Sequence, residues 1–555
     1  MEKDPAFGSQ FFDREKISSN LIKRVHAFRE GHHQNIGLLG KKFIGKSSIL
    51  QNFILSTNYP DIIPMYVEVH GESFSDFAQR FMGMMLVGYY QSLGKNIPHE
   101  IEPMIKGARR ELPKTTKNMS RILQLVKKNK CSEAFYELFS LCSLLATEID
   151  KKMIIIIDEF SLFEQFDIND PFSIFGKQIM IQKNTMFIVS CSSVKYGHEI
   201  FNEKLSLLFG NFEVIEVKPF DFNTTQNVIY SMLSPINIPP NFVRFIIRLT
   251  DGQPYYLTSL LTKIKNCAIN HTHESVTENM LISVLEAELF YSDGRLSRHI
   301  YSLFTTLFNN KRYYYLNVLV AIASGHKKTK EIAHFLEVRL EEAKKLLTRL
   351  LAEEIITKCG SFYYIDDPLL CFWLTHVYNL RRTSLKINKS LLNSQFKTLA
   401  KNTILEFGKE SKKDIVKRVE ELFMSFKNDI IEVDAKKSKY PSFSSVTSEI
   451  NDDIIVMLAK AFSYKWSCSV VLHEANEDDI QELINKIKKS KIKVNKKILI
   501  LPYGISINAK LLAKEAKFCL WGLRELNHLF DLYNKPKFIV EKVKKDITEE
   551  EYATT

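Results

Sequence analysis

Apolar residues fall into two patterns along this chain. In the first third, short unbroken apolar runs (Ile36–Leu39, Met153–Ile157, Met186–Val189) alternate with segments of helical spacing such as Ser48–Leu55. Strand-length runs with no polar alternate fit a parallel sheet buried on both faces. From Pro239 to Glu288 the spacing is helical throughout, with Phe242, Phe245, Ile246 and Leu249, then Leu257, Leu260, Leu261 and Ile264 on one face.

Beyond Ser297 the elements shorten. Helices are predicted at Tyr313–Ala323, Lys330–Phe335 and Leu340–Leu351, then a β-hairpin from Glu354–Lys358 and Gly360–Ile365. Helices followed by a two-stranded wing make a winged helix-turn-helix. Its third helix is expected to turn Leu340, Ala343, Leu346, Leu347 and Leu350 inward and Arg339, Lys344, Lys345 and Arg349 outward. After a polar stretch at Arg381–Ser390 come a helix at Leu391–Phe426, strands near Asp429–Val433, Asp453–Met457, Ser469–Leu472 and Lys497–Leu501, and helices at Asp478–Lys489 and Asn508–Glu515. This alternation predicts a second α/β domain. The expected organisation is a P-loop domain over 1–235, a helical lid over 236–296, a winged helix over 297–380 and an α/β domain over 381–555.

Composition narrows the class. With 555 residues the chain exceeds what one hydrophobic core supports, and 45% hydrophobic with 25% charged residues is an ordinary globular balance, which excludes disordered and fibrous classes. No apolar run approaches the roughly 20 residues of a membrane span, and the Met-Glu-Lys-Asp-Pro start lacks signal-peptide form. A soluble cytoplasmic protein with no membrane partner is expected. The eight cysteines are scattered without a CxxC pair, which suits reduced thiols rather than a disulfide scaffold. Of the net charge of +12, residues 381–555 carry +9 (33 Lys and Arg against 24 Asp and Glu), a balance that permits a nucleic-acid partner.

The chemistry is concentrated early. Gly40-Lys41-Lys42-Phe43-Ile44-Gly45-Lys46-Ser47 matches GxxxxGK[ST] in full, between an apolar strand and a helix opening with Ser48. In such a loop, backbone N–H groups turn onto phosphates at a helix N-terminus, Lys46 reaches the β- and γ-phosphates, and Ser47 ligates Mg²⁺. The run ending Ile157-Asp158-Glu159 supplies the acidic strand: Asp158 to hold Mg²⁺ through water, Glu159 to polarise the attacking water. A third strand ends in hydroxyls, and Ser190 and Ser192 are candidates to read the γ-phosphate or members of a plain turn. ATP and Mg²⁺ are the expected cofactors.

With these motifs in order, the chain resembles the archaeal ATPase family, a branch of the AAA+/STAND-type P-loop ATPases, over roughly residues 8 to 380. Phe12-Asp13-Arg14-Glu15 resembles the family's F-x-x-R-E entry motif, which implies that Arg14 contacts the adenine side. Leu207–Phe212 with Ile215–Phe220 resembles its LxGRF segment, except that Asn211 stands where the family has Arg; the resemblance implies slowed hydrolysis unless Arg14 or a neighbouring subunit of a homo-oligomer substitutes. Gly252-Gln253-Pro254-Tyr255-Tyr256-Leu257 resembles the lid's G-x-P-x-Y-L, which places Pro254 by the nucleotide, and Asp366-Asp367-Pro368 through Trp373 resembles the closing segment. In this family the winged helix either contacts DNA or packs within the molecule, and both readings stay open.

The last domain resembles the PD-(D/E)xK restriction-like domain. The resemblance implies a helix acid (Glu406 or Glu420), Asp453 opening a strand, and an E-x-K strand over Val470–Asn476 with Glu474 and, in place of the lysine, Asn476. Neutral Asn476 cannot supply the lysine's charge. An active nuclease, a degenerate DNA-binding domain and a protein-interaction domain are the three readings. The cluster Lys486–Lys497, with Lys488, Lys489, Lys491 and Lys493, is either a solvated edge or a phosphate contact. The function expected is an ATP-dependent switch acting on DNA or a protein; an ATP-gated nuclease and a non-hydrolysing scaffold are the alternatives.

Overall fold

The computed structural model describes residues 12, 14–57, 59–205, 210–308, 311–383, 389–433, 436–451, 454–462, 464–489 and 494–538. The chain divides into two units, residues 1–224 with 252–255, and residues 225–251 with 256–555.

The first unit is built on a parallel sheet of β1 (Asn35–Leu39), β2 (Ile62–Glu68), β3 (Lys152–Asp158), β4 (Thr185–Cys191) and β5 (Phe212–Glu216), in the order β2-β3-β4-β1-β5. Strand β4 therefore lies between the P-loop strand and the acidic strand. Alternate residues of β3 serve opposite faces. Ile154 and Ile156 pack on the helices Glu15–Arg29 and Lys46–Ser56 through Leu21, Phe28, Ile49 and Leu50. Ile155 and Ile157 pack on four helices inserted between β2 and β3, Phe74–Ser92, Ile101–Ala108, Pro113–Lys127 and Cys131–Glu148. Edge-to-face rings join helices of that block, Phe81 on Phe139 at 5.3 Å, and tie it to the short helix that follows β3, Phe135 on Phe163 at 5.4 Å.

The second unit contains the lid helices Pro240–Thr250, Pro254–Asn270 (from Tyr256 on) and Glu278–Leu285, then the winged helix: Arg312–Ala323, Thr329–Phe335, Leu340–Ala352 and the hairpin β6 (Thr357–Cys359) and β7 (Phe362–Tyr364). Ala343, Leu347 and Leu350 point inward as expected, but Leu346 is half-buried and Leu340 is exposed. Leu340 is the first residue of its helix, where no preceding turn covers it.

The C-terminal part begins later than expected. The single helix predicted at Leu391–Phe426 is two, Lys389–Ser411 and Ile415–Met424, separated where Asp414 accepts from the Lys417 N–H at 2.9 Å as an N-cap. The first of these turns Phe396, Ala400 and Ile404 inward at i, i+4, i+8, and packs on the lid: Phe396 on Phe290, Phe407 on Phe245, and Lys397 on Glu286 at 3.1 Å. A hairpin follows, β8 (Asp429–Val433) and β9 (Lys436–Tyr440). Then comes a sheet of β10 (Ser445–Asn451), β11 (Ile454–Lys460), β12 (Lys465–Val471), β13 (Lys496–Leu501) and β14 (Phe518–Gly522), adjacent in chain order. The first three strands are antiparallel; β12, β13 and β14 are parallel, joined by the helices Glu477–Lys489 and Ile507–Glu515.

The wing packs on this domain. Ser361 donates its backbone N–H to the Ile430 carbonyl at 2.9 Å, and a Cβ on Gly360 would stand 2.2 Å from that same oxygen. Gly360 also sits at φ +59° in the two-residue turn, a conformation that favours glycine. Beside it, the buried Lys327 ammonium donates to the Leu532 carbonyl and to Asn534 Oδ1, both at 2.7 Å, and Lys328 pairs with the buried Asp429 at 2.6 Å.

Candidate nucleotide site

The P-loop lies where β1 runs into the helix Lys46–Ser56. Gly45 caps that helix at φ +98° and has no side chain to bond its first-turn N–H groups. The loop thus leads into the positive end of an 11-residue helix, where an anion is favoured. The cradle therefore fits a polyphosphate. Lys46 is buried, and its Nζ donates to the Gly40 carbonyl at 2.9 Å and to Ser192 Oγ at 2.8 Å, with Glu159 Oε1 at 3.8 Å. Ser192 in turn donates to Glu159. The lysine, the third-strand hydroxyl and the second carboxylate thus form one contiguous group at the carboxyl edge of the sheet.

Asp158 is fully buried one step below. Its Oδ1 accepts from the Ser190 hydroxyl and from the Glu159 N–H at 3.1 Å, and its Oδ2 accepts from the Tyr66 hydroxyl at 2.7 Å. Ser190 Oγ also accepts from the Glu159 N–H at 3.1 Å. The two candidate serines thus divide: Ser192 stands beside Lys46, whereas Ser190 orients Asp158. Tyr66 was not legible as a site residue. It sits in β2, where the register sets Glu68 against Asp158, and only this pairing brings its ring to the carboxylate. Burial, and then the Asp158 charge, push the Tyr66 hydroxyl well above the usual tyrosine range, so it remains a donor. Asp158 and Ser47 offer the hard oxygens that Mg²⁺ takes.

Arg14 braces the loop from behind. Its guanidinium donates to the carbonyls of Ile44 at 3.1 Å and Lys218 at 2.9 Å and lies 4.5 Å from the Phe220 ring centre. Phe43 stacks on Tyr255 at 4.8 Å, and Gln253 donates to the Lys42 carbonyl at 3.1 Å, so the Gly252–Tyr255 segment, Pro254 included, belongs to the P-loop's surroundings. Lys41 and Lys42 are exposed and Ser48 is half-buried in the helix's first turn.

Asn211 is elsewhere. Its carbonyl accepts from the Asn35 N–H at 2.9 Å, and the register Asn35↔Phe212 through Leu39↔Glu216 sets it at the amino edge of the sheet, opposite the P-loop. Within one chain it does not face a γ-phosphate.

No family model and no curated protein matches this chain. Solved structures similar to it include an Aeropyrum pernix ORC2 protein described in ADPNP–ADP complexes (9% identity, 73% of this chain and 98% of that one, TM-score 0.43) and a Cdc6p from Pyrobaculum aerophilum (12%, 70% and 94%, TM-score 0.34). A third is the Thermotoga maritima RuvB Holliday junction branch migration motor (11%, 64% and 93%, TM-score 0.31).

The candidate nuclease residues that are described stand on separate elements. Glu406 is an exposed residue of the lid-packed helix, whereas Glu420 is half-buried on the helix beside β10. Asp453 lies outside the described residues. Strand β12 ends at Val471, so Glu474 and Asn476 stand exposed in the loop beyond it rather than on the strand. Asn476 caps the next helix: its Oδ1 accepts from the Asp479 N–H at 3.1 Å, and Asp479 accepts in return from the Asn476 N–H at 2.8 Å and bonds His473 Nε2 at 2.9 Å. Among the described residues no three His, Cys, Asp or Glu side chains are grouped to hold a metal, and no helix is long and apolar enough to cross a membrane.

On the winged helix Arg339, Lys344, Lys345 and Arg349 are all exposed. Lys344 pairs with Glu341 at 2.7 Å and Arg349 with Glu353 at 2.5 Å, so half of the basic face is already neutralised. Lys488 and Lys489 belong to the end of the helix Glu477–Lys489, and Lys491 and Lys493 lie outside the described residues.

Proposed function

We propose that this protein is an ATP-binding, Mg²⁺-dependent P-loop ATPase that works as a switch, coupling nucleotide state to a DNA or protein partner. One observation carries the reading: Lys46, Ser192 and Glu159 in a single hydrogen-bonded and ionic group above the buried Asp158. ATP supplies the phosphoanhydride to be cleaved. Lys46 neutralises charge at the β- and γ-phosphates, Ser47 and Asp158 hold Mg²⁺, Glu159 takes the proton of the attacking water, and Ser192 senses the γ-phosphate.

A route to the partner follows the chain. Gln253 reports on the P-loop through the Lys42 carbonyl. Two residues earlier, Asp251 pairs at 2.7 Å with Lys537, which also approaches Asp531 of the C-terminal domain at 3.6 Å. A nucleotide-driven change at Gly252–Gln253 would thus reach the C-terminal domain through consecutive residues.

The test is a pair of variants. Glu159→Gln is expected to keep ATP affinity by calorimetry and lower the single-turnover rate about 10²–10⁴-fold. Lys46→Ala is expected to abolish ATP binding, since Lys46 is the buried cation of the loop, whereas Lys41 and Lys42 are exposed. Wild-type affinity in Lys46→Ala would overturn the assignment. A DNA pulldown with and without ATP identifies the partner class.

A further inference from the structure

The C-terminal domain carries a small cationic and aromatic pocket that the nucleotide site does not use. Its volume is about 290 Å³, and β9, the start of β12 and the start of β13 line it. Trp466, buried, forms the floor beside Tyr440, their rings 5.5 Å apart. The Lys496 ammonium stands 4.6 Å from the Trp466 ring centre and 5.0 Å from that of Tyr440. Among the described residues Lys496 has no carboxylate partner. Burial pulls its pKa below the ordinary lysine value, as expected for an ammonium short of anionic compensation. Lys439 and the half-exposed Tyr464 form the rim. At the neighbouring β11–β12 turn, Phe462 projects fully into solvent.

We propose that this pocket is a binding site for single-stranded nucleic acid, taking one unstacked base against Tyr464 and its phosphate between Lys439 and Lys496. The volume sets the scale: it lies at the small end of ligand pockets and admits one base, not a stacked pair. The chemistry sets the class. A cation on an aromatic floor without an acid suits an anion attached to a flat ring, and stacking on Tyr464 requires a base already out of a duplex. Continuity argues for a strand rather than a free nucleotide. Lys439 lies on the exposed side of β9 two residues beyond Lys437, which pairs with Glu432 at 3.9 Å, and Phe462 offers a further ring beyond the pocket.

The test is fluorescence anisotropy on a labelled oligothymidylate of about 15 nucleotides, without ATP, using the full chain. Tyr464 and Lys439 are rim residues, so their variants should fold. Tyr464→Ala is expected to weaken binding about 5- to 150-fold, and Lys439→Gln to lower the slope of log K against log salt by about 0.7. Free thymidine monophosphate and a duplex of equal length should compete poorly. Unchanged affinity in Tyr464→Ala overturns the proposal. Competition by the monophosphate at equal affinity makes this a mononucleotide site instead, and equal competition by duplex shows that no base enters the pocket; either result also overturns it.

Discussion

Replacing Tyr66 by Phe isolates one hydroxyl in the nucleotide site. The ring stays, so β2 keeps its packing, and the hydroxyl's 2.7 Å hydrogen bond to Asp158 Oδ2 is lost together with its bond to the Gln51 side chain. Asp158 is fully buried, and among the described residues Tyr66 is the one protein donor to that oxygen, while Ser190 and the Glu159 N–H serve Oδ1. A hydrogen bond to a charged acceptor contributes about 1.5–3 kcal/mol, equivalent to roughly 10- to 150-fold in an equilibrium. If Asp158 positions Mg²⁺, that loss falls on the metal, and partners of this kind typically change metal affinity or activity by about 10–100-fold. The expected result is a rise of that size in the Mg²⁺ concentration giving half-maximal ATP hydrolysis, with ATP affinity in the absence of Mg²⁺ unchanged by calorimetry. Ser190→Ala acts on the same carboxylate, so the double variant should fall short of the sum of the two. An unaltered Mg²⁺ dependence in Tyr66→Phe would refute the reasoning, because it would mean that the hydroxyl does not orient the carboxylate or that the carboxylate does not serve the metal.

Three further outcomes follow from other parts of the molecule. Asn211→Arg should leave the single-turnover ATPase rate of the monomer unchanged, because residue 211 sits at the amino edge of the sheet; a faster rate would show that it reaches a nucleotide in a neighbouring subunit. Gly360→Ala should cost about 2–5 kcal/mol, from the 2.2 Å approach to the Ile430 carbonyl together with the positive φ, read as faster hydrogen exchange in β8 and β9. Burial lowers the His376 pKa to about 4, and the unfolded chain then binds more protons below pH 6.5; stability around the helix Lys389–Ser411 should therefore fall by about 2 kcal/mol between pH 7 and pH 5, with the dependence removed in His376→Gln.

What the sequence disclosed depended on how local each feature is. The P-loop and the strand ending in Asp158 and Glu159 are contiguous segments whose chemistry fixes residue type and spacing, and both stand at the carboxyl edge of the parallel sheet. Tyr66, Gln253 and Tyr255 reach the site only through strand register or chain return, which no local pattern encodes. The helical block at 74–148 carries amphipathic spacing, but nothing in that spacing says that its aromatic face covers the sheet. Asn476 misleads for a related reason. In an E-x-K alignment it looks like a lost lysine, whereas the loop and Asp479 make it a helix cap. Glu406 lies on a separate helix from Glu420 because Asp414 starts a new helix, and the residues before it face the lid.

The two roles open for the winged helix are not equal once the wing is placed. In a groove-binding winged helix, the wing must be free to lie along the phosphate backbone. Here Gly360 and Ser361 rest on the Ile430 carbonyl, and Lys327 and Lys328 are spent on Leu532, Asn534 and Asp429. Freeing the wing would strand a buried ammonium and a buried carboxylate, each costing several kcal/mol when left unpaired. Half of the basic residues on the third helix are also bridged to carboxylates. The winged helix thus braces the lid side of its unit against the C-terminal domain. Nucleic-acid affinity in this unit would then come from surfaces whose cations are uncompensated, and the pocket bounded by Lys439 and Lys496 is such a surface.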